Sequence, residues 1–191
     1  MTLGESIGFL APAIAQLTTA ALNPAATMPA LVAAGAVEGA VLGWSQARVL
    51  KRRIPALSKP RWIGGTAVAA SLAWFIGLLP AGYPEVWQGW PLGAQVVAGA
   101  LAGTALLCSI GVAQWLELRR HLPRSGSWVA GSAVAWCIGL AVFFGVATPL
   151  WQPGQPTGLV ALIGVLAGVL MAVSMAVVTG LVLLRLLRRA A

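Results

Sequence analysis

Apolar residues run through this chain in six blocks, at residues 6–22, 29–51, 62–79, 94–118, 128–149 and 159–184. Between them lie short segments rich in proline, glycine and charge. About 20 consecutive apolar residues are enough for a helix to cross a bilayer. The five later blocks meet that length. The first is shorter and is interrupted by Pro12, Gln16, Thr18 and Thr19, so it reads either as a first span or as a re-entrant or interfacial segment. The pattern predicts an all-α integral membrane protein of about six transmembrane helices. The whole chain, 1–191, forms one transmembrane domain.

Composition agrees with lipid as the solvent. The chain is 59% hydrophobic and 8% charged, with a mean hydropathy of +0.89. A soluble domain carries about a quarter charged residues. Such a chain cannot cover itself with polar surface, and its loops leave no room for an extramembrane domain. The start, MTLGES, lacks the basic region of a cleaved leader.

Charge then orients the bundle. The net charge is +8, but the twelve basic residues sit at span ends or in the loops that follow. The segments 23–29, 81–93 and 151–158 hold no Lys or Arg. Lys and Arg near span ends stay on the cytoplasmic side. This places Lys51, Arg52, Arg53, Arg119, Arg120, Arg188 and Arg189 at the cytoplasmic face of a bacterial inner membrane. The C-terminus is cytoplasmic, and the N-terminus is too if the first block spans. The expected partners of these basic clusters are anionic lipid headgroups, not nucleic acid. Tyr83, Trp87 and Trp90 suit the opposite headgroup layer.

Three stretches share a pattern: Gly43-x-x-Gln46-x-x-x-Leu50-Lys51-Arg52, Gly111-x-x-Gln114-x-x-x-Leu118-Arg119-Arg120, and Gly180-x-x-Leu183-x-x-x-Leu187-Arg188-Arg189. AWFIGL at 73–78 echoes AWCIGL at 135–140. The expectation is three parallel helical-hairpin repeats, at about 1–53, 62–120 and 128–189, arranged as a pseudo-threefold bundle. Gly35, Gly39 and Gly43 recur every four residues, as do Gly99 with Gly103 and Gly164 with Gly168. Residues four apart share a helix face, and small residues let helices approach closely in lipid. These ridges predict that the even-numbered spans lie at the centre. The segment GVAQWLELRRHLPRSGSW, 111–128, resembles a loose set of bacterial and cyanobacterial multispan membrane proteins of uncharacterised function with repeated GxxQWLxLRR hairpins. That resemblance implies a fold of this kind and carries no activity with it.

Candidate chemistry is sparse. Glu38 falls in the middle of the second span, where a bare carboxylate costs several kcal/mol unless a proton or a counter-charge neutralises it. It departs from the repeat, whose other copies place Leu106 and Met175 there. It reads as a proton or cation site, as an anchor for a partner, or as a protonated acid bonded to a carbonyl or to Gln16. Ser45, seven residues on, is a possible companion. Gln46 and Gln114 either line a polar vestibule or bond neighbouring helices. Glu117 and His121, four apart, read as a surface ion pair. With one histidine, four scattered acids and two cysteines (Cys108 and Cys137) inside apolar spans, no metal site, cofactor or catalytic set is expected. The leading functional expectation is a non-enzymatic accessory or scaffolding subunit, bound to other membrane subunits or to itself. The alternative is a small proton- or cation-linked transporter or channel that uses Glu38.

Overall fold

The computed structural model describes residues 24–190. Among them are six helices and no strands: α1 Pro24–Leu50, α2 Lys59–Gly82, α3 Pro84–Gln88, α4 Leu92–Leu118, α5 Ser127–Leu150 and α6 Thr157–Ala190. All but the five-residue α3 are long and apolar enough to cross a membrane. The all-α, multispan expectation holds for these five. The block at 6–22, and with it Gln16, lies outside the described residues.

Helix ends differ from the sequence expectation wherever proline was read as a stop. Residues 24–29 are not a loop, because they are helical and α1 continues through Pro29. Pro29 removes one hydrogen bond of the helix. Pro80 and Pro149 also lie inside helices, but α2 stops at Gly82 and α5 at Leu150. Near a C-terminus a proline ends the helix within a residue or two. The α6 helix carries on through the basic tail and has Arg188 and Arg189 in its last turn. Cations there complement the negative end of the helix dipole.

Consecutive long helices pack side by side: α1 on α2, α2 on α4, α4 on α5 and α5 on α6. Each pair is antiparallel. Gly43 meets Ile63 and Thr66, whereas Gly35 meets Trp74. Gly131 meets Val182, whereas Gly139 meets Met171 and Met175. The loop 51–58, the loop 119–126 and the end of α6 therefore gather at one end of the bundle. Lys51, Arg52, Arg53, Arg119, Arg120, Arg188 and Arg189 are all exposed there.

The densest core sits at that same end. It joins Ala47, Leu50 and Trp62 to Leu118, Trp128 and Leu186, and it includes Ile54, Leu57 and Leu122 from the two basic loops. The loops are thus amphipathic. Their cations face outward while their aliphatic residues plug the bundle.

The glycine ridges sort into two kinds. The ridge of α1 is a true close contact. A methyl group at Gly35 would collide with the Trp74 ring, and one at Gly39 would lie 2.6 Å from Ala70 Cβ and 2.7 Å from the Thr66 carbonyl oxygen. Gly111 makes a similar contact with Val129 and Ser132. A methyl group at Gly99, Gly103, Gly164 or Gly168 would meet nothing within 4 Å among the described residues. The ridges therefore do not draw the even spans together. The α1 ridge packs on α2, the following odd span, whereas Gly99 on α4 is exposed and Gly168 on α6 is buried without a close contact at its Cβ position among the described residues. Small-residue spacing permits close approach but does not choose the partner.

This division is testable. Gly39→Leu overpacks the α1–α2 contact and is expected to cost roughly 1–3 kcal/mol. Gly99→Leu, at an exposed position on α4, is expected to stay within about 0.5 kcal/mol. Thermal unfolding of the detergent-solubilised protein distinguishes them, and equal losses would contradict the packing described.

Candidate functional site

Gly35, Glu38 and Gly39 project from α1 toward α2. Because Gly35 has no side chain, the Trp74 indole of α2 settles against α1. That position brings Trp74 Nε1 to Glu38, where it donates a 2.9 Å hydrogen bond to Oε2. Glu38 is 6% exposed. It stands at the middle of α1, twelve residues from the basic end at Leu50, or about 18 Å at 1.5 Å per residue.

The carboxyl group lies on the wall of a cavity of about 480 Å³. All five long helices contribute to it. Glu38 and Leu42 come from α1, Trp74 from α2, Ile110 from α4, Trp136, Phe143 and Phe144 from α5, and Met171 from α6. Among the described residues, Glu38 is the one ionisable side chain in the lining. Phe144 is exposed on the bundle surface, so this wall reaches the lipid side.

Two turns below Glu38, a second polar group closes on itself. Gln46 Oε1 accepts from Trp62 Nε1 at 3.3 Å and from Gln114 Nε2 at 2.7 Å. Gln114 Nε2 also donates to Thr66 Oγ1 at 3.2 Å, and Gln114 Oε1 accepts from Trp128 Nε1 at 3.0 Å. Thr66 donates in turn to the Trp62 carbonyl at 2.7 Å. All five residues are buried, and the two indoles pack edge to face at 6.0 Å. The network links α1, α2, α4 and α5. Gln46 and Gln114 act as interhelical bonds here, and neither lines the cavity.

Ser45 does not join Glu38. Its hydroxyl donates to the Leu42 carbonyl of its own helix at 2.8 Å. The partner that sequence reasoning missed is Trp74. Its signal was the AWFIGL stretch, which was used for repeat matching and not for pairing. The α1 glycine ridge predicts a bulky residue opposite Gly35, and Trp74 is that residue.

Glu117 is also more than a surface charge. It is 4% exposed, and its Oε1 accepts the Ser58 backbone N–H at 2.8 Å. His121 Nε2 lies 3.0 Å from the same oxygen. Arg120 Nε, 3.8 Å from Oε2, completes the surroundings. Ser58 precedes α2, so a carboxylate from α4 caps the N-terminus of another helix, where a negative charge is favoured. The hydrogen bond fastens the 51–58 loop to the C-terminal end of α4.

No group of three or more His, Cys, Asp or Glu side chains suited to a metal occurs among the described residues. The chain matches no family model, no curated protein and no solved structure.

Gln114 should behave as the keystone of the polar network. Gln114→Leu strands the Trp128 indole N–H and removes two bonds, and it is expected to cost about 2 kcal/mol, the desolvation cost of an unmet buried donor. Trp128 fluorescence and unfolding in detergent report it; an unchanged midpoint would mean the network is not carrying stability. Glu117→Ala is expected to speed hydrogen exchange at the Ser58 amide and leave amides near Glu38 unchanged. Exchange measured by mass spectrometry on peptides from 51–58 reads this directly.

Proposed function

We propose that the protein is a small proton- or cation-linked transporter or channel in which Glu38 is the exchanging group. One observation carries this reading: among the described residues, the only ionisable side chain in the cavity lining stands at mid-span, held by Trp74 at one oxygen. In an apolar surrounding, a carboxylate is stable only with a proton or a positive charge beside it. Intramembrane acids that face a cavity mark ion and substrate pathways. Passage toward the basic end then requires the Gln46–Gln114 contact to part, because that network lies directly beyond Leu42. By the positive-inside rule, the basic end faces the cytoplasm of a bacterial inner membrane.

Two features support the finer architecture. Gly43, Gln46, Trp62 and Thr66 on one pair of helices correspond in role to Gly111, Gln114, Trp128 and Ser132 on the other. The matching units are then α1–α2 and α4–α5, each joined through a basic loop. Under this reading the repeated hairpin closes at the basic end, and Trp62 matches Trp128 in register.

A second reading, an accessory or scaffolding subunit, is favoured by the exposed stretch of α4 around Gly99, where a methyl group would meet nothing within 4 Å among the described residues; small-residue faces of this kind receive other helices in lipid.

Reconstitution separates the two. With an entrapped pH-sensitive dye and an imposed pH gradient, wild-type proteoliposomes are expected to move protons, and Glu38→Gln is expected to abolish the movement while native mass spectrometry shows an unchanged assembly. Flux that survives Glu38→Gln contradicts the transport reading. A wild type that moves nothing but purifies stoichiometrically with other membrane subunits supports the scaffold instead.

A further inference from the structure

We infer that the cavity takes a hydrophobic organic monocation, a quaternary phosphonium or ammonium or a protonated lipophilic amine, which displaces the proton of Glu38. This rests on the proposed role of Glu38 as the exchanging group and names what it exchanges for. Size argues first. A volume of about 480 Å³ lies within the roughly 300–1,000 Å³ of small-molecule pockets. It is far more than a bare ion or a single water needs.

The lining argues against inorganic cations. Hard cations such as Ca²⁺ and Mg²⁺ demand about six or more oxygen ligands. Among the described residues this wall offers one carboxyl group, and the other lining residues are apolar or aromatic. They give an ion stripped of water little to replace its shell. Anions are disfavoured by the same carboxyl and by the absence of Lys, Arg or His from the described lining. A neutral acyl chain or sterol fills apolar space equally well, but it gives Glu38 no counter-charge.

An organic monocation answers both features. Its hydrocarbon body is compatible with Ile110, Leu42 and Met171. Its diffuse charge suits the rings of Trp74, Trp136, Phe143 and Phe144, since cations are attracted to aromatic faces within about 6 Å. Its positive charge neutralises the carboxylate. The balance is one for one. The Glu38 O–H bond breaks, the proton passes to the medium, and the carboxylate pairs with the cation. The site therefore holds a proton or a cation, never both. The exposed Phe144 at the wall allows entry from the lipid, where such amphiphiles partition.

The test uses the full chain in nanodiscs, with tetraphenylphosphonium as probe and neutral triphenylphosphine oxide as its uncharged counterpart. Tetraphenylphosphonium is expected to bind, with about one proton released per cation in weakly buffered medium. Glu38→Gln, checked by thermal unfolding for an intact fold, is expected to weaken binding at least tenfold and abolish proton release. Ala73→Phe, which fills the cavity from α2 without touching the acid, is expected to block binding as well. Triphenylphosphine oxide bound as tightly as the cation, or cation binding indifferent to Glu38→Gln, would overturn the inference. So would Glu38-dependent proton flux that tetraphenylphosphonium neither inhibits nor accompanies, and in that case the broader transport reading stands. Glu38-dependent binding without any flux upholds the site and removes the transport reading.

Discussion

Within the hydrocarbon of a bilayer no water is available to satisfy a polar group, so each must find its partner in the protein. That constraint organises this bundle. Gln46, Gln114, Thr66, Trp62 and Trp128 meet it among themselves, in a knot that ties two helix pairs together. Isolated hydroxyls meet it by bonding to their own helices, as Ser45 does with Leu42 and Thr179 with Met175. Glu38 meets it in part, through Trp74, and among the described residues it is the one ionisable group in the cavity lining.

The two halves of the bundle follow from where small residues meet large ones. Toward the basic end, Gly43 and Gly111 let neighbouring backbones close up. Trp62 and Trp128 then fill the centre, and the loop residues Ile54, Leu57 and Leu122 seal it. Glu117 fastens the 51–58 loop to the end of α4 by capping α2. Further from that end, α4 is exposed along most of its length from Leu92 to Leu101, and the helices leave the cavity between them. A tight end and an open middle are what a site with controlled access requires.

Much of the architecture was legible in the sequence. Apolar blocks alone give the spans, and loop charges alone gather the basic residues at one end. Glu38 stands out because its residue type is wrong for its place. What was not legible concerns partners. Four-residue glycine spacing gives a flat face without saying what meets it, so the even spans were placed together when α1 in fact lies on α2. A glutamine in a span reads equally as vestibule or as glue until its neighbours are known. Glu117 looked solvated beside Arg119 and Arg120, yet the 51–58 loop folds over it. Proline marked boundaries to within a residue or two near the ends of α2 and α5 and misled at Pro29, which α1 runs through.

The central claim is that Glu38 alternates between a proton and an organic cation. Infrared difference spectroscopy of the reconstituted protein, with and without tetraphenylphosphonium, tests it at the group itself. The account predicts a carboxylic-acid C=O stretch that disappears when the cation is added, a carboxylate band that grows in its place, and neither change in Glu38→Gln. A spectrum that shows the same carboxyl state with and without the cation, or one unaltered by Glu38→Gln, would contradict it.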